Sequence, residues 1–275
     1  MVEHRPWNDI IAYAILTLGV FIVAFPVYLA LIASTHDAGT VVGGNIPLST
    51  GGHTLENYYR AVFVGGSRTA REPVGHLLLN SFISATGIAV GKIFISILSA
   101  YAVVYFRFPF RKTAFWIIFV TLMLPVEVRI YPTYKVVSDL HMLDTYAGLI
   151  LPLIASATGT LLFRQFFMTI PDELLEASRI DGAGPFRFFK DTLLPLSTTT
   201  MAALFVIQFI YGWNQYLWPL LITTQASMQT IVIGIKNMLT TTDELAEWQL
   251  AMVPPVAVVV FMQRLFVRGL VETEK

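Results

Sequence analysis

An all-α chain that crosses a membrane in six helices is what this sequence predicts, and three observations predict it. Hydrophobic residues make up 55% of the 275 and charged residues only 13%, with a mean hydropathy of +0.66. A typical soluble domain carries about a quarter charged residues. Apolar stretches recur along the chain at lengths approaching the ~20 residues that cross ~30 Å of hydrocarbon. Finally, the connection that leaves the fourth stretch at Arg164, RQFFMTIPDELLEASRIDGAGPFRFFKDTLLPLS, carries helix signals, glycines and alternating charge where a plain polar turn would serve.

The elements follow in order, with residues 1–275 forming one transmembrane domain. The first span runs from about Ile10 to Ala33, after an N-terminus too short and too acidic to read as a removable signal. A Gly- and Thr-rich segment, 34–76, is the largest loop outside the spans. The second span covers Leu77 to about Phe106, the third Thr113 to about Val126, the fourth about Tyr146 to Phe167, and the fifth Leu193 to about Ile222. The sixth is the weakest, because only fourteen residues, Gln249 to Met262, separate Trp248 from Gln263, and Pro254 and Pro255 are among them. It crosses upright only if Leu265 to Val267 are recruited and Gln263 and Arg264 are buried; either the span is shortened, tilted and snorkelled, or the chain has lost several residues and its last helix is compromised.

Orientation follows from Lys and Arg alone. Arg5, then Arg107, Arg111 and Lys112, then Arg164, Arg179, Arg187 and Lys190, then Arg264, Arg268 and Lys275 fall on one side. Arg60, Arg68, Arg71, Arg129, Lys135 and Lys236 form the smaller set opposite. Both termini and segment 169–192 are therefore expected in the cytoplasm, and 34–76 outside.

Polar groups at membrane depth are costly and mark a pathway by default. Lys92 stands near the middle of the second span, and Glu127 and Arg129 follow the third in LPVEVRIYP, between Pro125 and Pro132. A cation facing a water-filled cavity suits an anionic phosphate; Glu127 paired with Arg129 or Lys92 as structural cement is the competing reading. The fifth span holds Tyr211-Gly212-Trp213-Asn214-Gln215-Tyr216-Leu217-Trp218-Pro219. Trp213, Asn214 and Gln215 are pathway candidates by stacking and paired amide bonds, while Trp218 reads equally well as an interface anchor.

The charged connection is the most specific signal. Pro171 suits the first helical position, Asp172 and Glu173 the first turn, Gly182 and Gly184 a stop, and Pro185 a restart, which makes a knob of two short helices. Its pattern, Glu176-Ala177-Ser178, Asp181-Gly182-Ala183 and Leu193-Leu194-Pro195, resembles the EAA–Asp–Gly–LP coupling loop of the membrane subunits of binding-protein-dependent, ATP-driven importers. Ser178 stands where that family usually has a second alanine, a small-for-small exchange. RPW, LMLPVEVRI, LLFRQFFMT, FIYGWNQYLWPLLI and MQRLFVRGLVETEK extend the resemblance over nearly the whole chain, and the stretch before Val253 departs from it by its short apolar run.

That resemblance implies the type I importer permease fold in a bacterial inner membrane, a heterodimer with a second permease, a cytoplasmic ATPase dimer that grips Glu176, Ala177, Ser178, Asp181, Gly182, Ala183 and Pro195, and a periplasmic solute-binding protein. It implies alternating access with ATP hydrolysed by the partners. This chain carries no G-x-x-x-x-G-K-[ST] loop, and His4, His36, His53, His76 and His141 show no metal-ligand spacing. Neither an enzyme, a cofactor nor a metal is expected, and zero net charge with no basic aromatic run gives no reason to expect nucleic acid. The competing functions are the same architecture importing a neutral sugar, and a proton-coupled transporter using Glu127.

Overall fold

The computed structural model describes residues 6–42, 47–64, 72–121, 124 and 126–238, and among these all regular structure is helical. The expected sixth span, Gln249 to Met262, and the tail with Arg264 and Arg268 lie outside the described residues. The chain divides into two compact units, residues 1–76 with 234–252 and residues 77–233 with 253–275.

In the first unit, α1 runs Pro6–Ala33 and contains an apolar span, Ile10–Ala33, of mean hydropathy 2.6. A helix satisfies its backbone groups internally, which hydrocarbon demands of any lipid-exposed segment. Its last turn is fastened by polar contacts. Ser34 Oγ and Tyr58 OH lie 2.9 Å apart, and Asn57 Nδ2 donates to the carbonyls of Ser34 and His36 at 2.9 and 3.0 Å. Segment 34–76, expected as a loop, holds short helices at Ala38–Val42 and Thr54–Tyr59. These were hidden because five or six residues carry too little periodicity to read.

The second unit is built on α2, Val74–Tyr105, whose N-terminal turn begins in the first. Then come α3 (Arg111–Val120), α4 (Val126–Asp139), α5 (Tyr146–Ile150), α6 (Ala157–Phe167), α7 (Asp172–Ile180), α8 (Pro185–Phe188), α9 (Thr198–Trp213) and α10 (Leu217–Ile222). A last helix, α11, spans Ile231–Met238, and its residues from Gly234 on belong to the first unit.

Several expected spans are broken. α1 and α2 alone are long and apolar enough to cross a membrane unaided among the described residues, and up to four crossings result if each bent pair counts as one. The fourth expected span bends by 49° between Tyr146–Leu153 and Ala157–Phe167, where Ser156 leaves the helix in an extended conformation and its side chain caps Gly159 N at 3.1 Å. The fifth bends by 69° between Pro185–Leu196 and Thr198–Trp213, then stops before α10. The third stretch ends as α3 at Val120 rather than Val126, because the helix that follows starts afresh at Val126.

Two apolar clusters hold this unit. One joins Ile97, Ala100 and Tyr101 of α2 to Phe163 and Phe167 of α6, Phe188 of α8, Leu193, and Leu204 of α9. The other gathers Val137, Leu149, Trp218 and Ile222. Trp218, which the sequence leaves open to both a substrate-stacking and an interface-anchor reading, is a core residue whose Nε1 donates to Gly148 O at 3.1 Å.

Candidate functional site

The knob expected at 169–192 takes its shape from local chemistry. α7 begins at Asp172, with Pro171 extended at the cap (φ −60°, ψ 138°) rather than at the first helical position. The correction is one residue, and it leaves Asp172 and Glu173 in the first turn as expected. α7 ends in a Schellman motif: Ala183 N donates to Ser178 O at 2.9 Å and Gly182 N to Arg179 O at 3.0 Å. Gly182 lies at φ +73°, with no heavy atom within 4 Å of the Cβ it lacks. The backbone conformation, not crowding, is what requires glycine there.

The chain restarts at Pro185, the first residue of α8. Phe188 is buried, its ring 5.4 Å from Tyr105, and Tyr101 OH donates to Pro185 O at 2.8 Å. The inner side of the knob is thus rooted in the end of α2. The knob also exposes two large apolar side chains, Ile180 at 86% and Phe186 at 77% of full accessibility, among charged ones such as Glu176, Arg179 and Arg187. Glu176, Ala177, Asp181, Gly182 and Pro195 are exposed, while Ser178 and Ala183 are half-buried against a cleft of about 530 Å³ that Tyr101, Tyr105 and Arg107 also line. Large exposed apolar side chains of this kind are ones that a partner's groove could bury.

The second constellation surrounds Lys92. This side chain is 7% accessible; its Nζ donates to Gln208 Oε1 at 2.8 Å and lies 4.0 Å from the centroid of the Tyr211 ring. Both partners are neutral, so a buried cation is held by an amide and a π face. Arg129 is exposed on α4. Glu127 belongs to the first turn of α4, but its side chain lies outside the described residues.

The three remaining candidates separate. Trp213 is buried and stacked on Phe209 with ring centroids 5.7 Å apart, so it packs the core. Asn214 is exposed at the end of α9, and Gln215 is half-buried with Nε2 donating to Tyr211 O at 3.4 Å. Gln208 and Tyr211 were missed as partners of Lys92. A lone amide in TTTMAALFVIQFIYGW, three residues before Tyr211 and hence on the same helix face, was the available signal.

A third polar feature also escaped the sequence. Asp144, at φ 54°, accepts from Thr224 N at 2.6 Å, Thr224 Oγ1 at 2.5 Å and Gln225 N at 2.9 Å, while its own N–H donates to Ile222 O at 3.0 Å. Burial acts to raise the carboxyl pKa, but these hydrogen bonds more than offset it and hold it below the ordinary carboxylate value. The residue clamps the start of α5 to the end of α10.

Residues 92–271 match the family of binding-protein-dependent transport system inner membrane components. The sn-glycerol-3-phosphate transport system permease protein UgpE of Brucella melitensis biotype 1 is 58% identical over the whole of both chains, and that of Escherichia coli strain K12 is 55% identical, again over both. Each alignment has 282 positions against 275 residues here, so at least seven positions have no counterpart in this chain. Among solved structures, a bacterial ABC transporter involved in import of the acidic polysaccharide alginate matches with a TM-score of 0.77 at 18% identity, covering 96% of this chain and 98% of that one. At that identity the likeness concerns the fold alone.

Proposed function

This chain belongs to the binding-protein-dependent transport system inner membrane components, and we infer from that premise that it is a permease subunit of the ATP-binding-cassette importer for sn-glycerol-3-phosphate. The observation that carries the substrate is the full-length identity to permeases named for it. Lys92 agrees with an anionic cargo: a buried cation held by an amide and a π face, with no carboxylate in contact with it among the described residues, favours an arriving phosphate over a neutral sugar. Glycerophosphodiesters share the phosphate and fit the same reading.

The working assembly is a heterodimer with a second permease, a cytoplasmic ATPase dimer and a periplasmic solute-binding protein, in an inner membrane crossed six times with both termini inside. ATP closes the ATPase dimer, whose grooves draw in the exposed Ile180 and Phe186 face of the knob. Because the knob is rooted in α2 through Tyr101 and Phe188, that motion turns the permease pair outward to receive solute, and hydrolysis resets it.

Uptake of labelled sn-glycerol-3-phosphate into vesicles holding the whole transporter tests this. It should require ATP and the binding protein, and Gly182→Val should reduce it by about tenfold or more, since a β-branched residue at positive φ costs on the order of 1–3 kcal/mol of local strain. Assembly of the membrane subunits should persist. Uptake driven by a proton gradient without ATP, or unchanged in Gly182→Val, would overturn the reading; preference for a neutral sugar would retain the architecture and change the cargo.

A further inference from the structure

A cleft of about 550 Å³ opens between α3, α6 and the end of α2, and the transport reading leaves it without a role. Its apolar wall includes Phe115, Trp116 and Met168, and its rim carries Arg111, Lys112 and Arg164. No acidic residue lines it, and none of the three cations forms an ion pair among the described residues. Arg164 lies over the Phe115 ring with its guanidinium carbon 4.4 Å from the centroid. Arg111 spends one nitrogen on long bonds to Val104 O and Phe106 O, at 3.4 and 3.3 Å, which leaves other donors of its fork free.

Position and backbone add to the charge. Arg111 and Lys112 form the first turn of α3, which has no side-chain cap, so the positive end of the helix dipole points the same way as the cations. The wall beyond continues along the exposed apolar residues Trp116, Ile117 and Val120. A basic rim joined to an apolar wall at the end of spanning helices is complementary to a molecule with an anionic head and a hydrocarbon tail.

We propose that this cleft seats an anionic phospholipid from the leaflet on the coupling-loop side, its phosphate among Arg111, Lys112 and Arg164 and its acyl chain along Phe115, Trp116 and Met168. The inference rests on the chain's membrane placement and is independent of the transported solute. The seat adjoins the knob's own support, since Val103 and Val104 of α2 line it one turn or less from Tyr101 and Tyr105. An occupied seat therefore braces α3 against α6 beside the coupling loop.

The test uses the complete transporter, both permeases with the ATPase dimer, purified in mild detergent and examined by native mass spectrometry after exposure to dioleoyl phosphatidylglycerol or dioleoyl phosphatidylcholine. The unaltered complex should retain phosphatidylglycerol about tenfold better, and R111Q/K112Q/R164Q should lose most of that preference, as expected when three cations facing one anionic headgroup are removed. Excess glycerol phosphate lacking acyl chains should displace little lipid. Equal retention of the two lipids by the unaltered complex overturns the proposal whether or not the triple variant assembles. So does unchanged preference in an assembled variant, which would put the lipid elsewhere, and so does displacement by soluble glycerol phosphate, which would make the cleft an anion site.

Discussion

The two long helices α1 and α2 invert the rule by which soluble proteins are read. The apolar window of α1 is the more hydrophobic, with mean hydropathy 2.6 against 1.9, yet only 6% of it is buried inside the chain against 44% for α2. α2 spends its polar residues inward: Asn80, Ser81, Ser84, Lys92 and Ser96 are all buried. In hydrocarbon there is no gain from hiding a leucine from lipid, so packing and polar bonds choose the inner face. Of these two helices the more apolar one is the less covered by its own chain, and the buried polar residues belong to the one that packs within it.

Glycines give the sharpest way to break that contrast. A Cβ on Gly212 of α9 would stand 3.0 Å from Ala85 Cα and 3.4 Å from Ala85 O, both main-chain atoms of α2, while nothing lies within 4 Å of Gly19 in α1. Gly212→Leu should cost at least ~3 kcal/mol, the upper part of the range for overpacking, and thermal stability of the purified complex should report it. Gly19→Leu should fall within about 0.5 kcal/mol of the parent, as surface changes do. A large loss from Gly19→Leu would show that α1 is covered by the partner permease and not by lipid.

Lys92→Met comes next and acts on transport. If Lys92 meets the phosphate, removing a charge-assisted bond of about 1.5–3 kcal/mol lowers uptake roughly ten- to hundredfold while ATPase coupling survives. Unchanged uptake returns Lys92 to a packing role beside Gln208. Asn80→Leu probes the same inward polarity structurally. Asn80 Nδ2 donates to Ser227 O at 2.7 Å and Gln229 O at 3.0 Å, and its Oδ1 accepts from Tyr146 OH at 2.6 Å. At about 0.6 kcal/mol per intramembrane bond, with a maximum near 1.7, roughly 2 kcal/mol of stability should go.

The smallest effect belongs to Asp144. Its folded pKa is depressed, so its stabilisation is present above the unfolded value and is lost as pH falls through the folded one. Asp144→Asn should therefore lower the denaturation midpoint modestly at neutral pH and make no difference at a pH below both values. An equal deficit at neutral and strongly acid pH would show that shape, not charge, holds the clamp.

What could be read in advance depended on range. Gly182, Pro185, Asp172 and Glu173 act within a few residues of themselves, so the knob was legible with an error of one position at Pro171. The Lys92 bond to Gln208, the Trp218 bond to Gly148 and the Asp144 clamp each depend on a partner far along the chain. A period of apolar residues says that a segment enters the membrane. It is silent on which polar atom waits there.

The hydroxyl of Tyr101, holding the carbonyl of Pro185, gives α2 the character of a lever arm. Lys92 lies nine residues earlier on the same uninterrupted helix, a distance of about 14 Å at 1.5 Å per residue. A helix of this kind bends little over so short a length, so a tilt imposed at the knob arrives at Lys92 as displacement and is not dissipated in a loop. Any push received at the knob and the seat of the buried Lys92 are then two points on one beam, and the ratio of their distances from its pivot sets how far the seat travels.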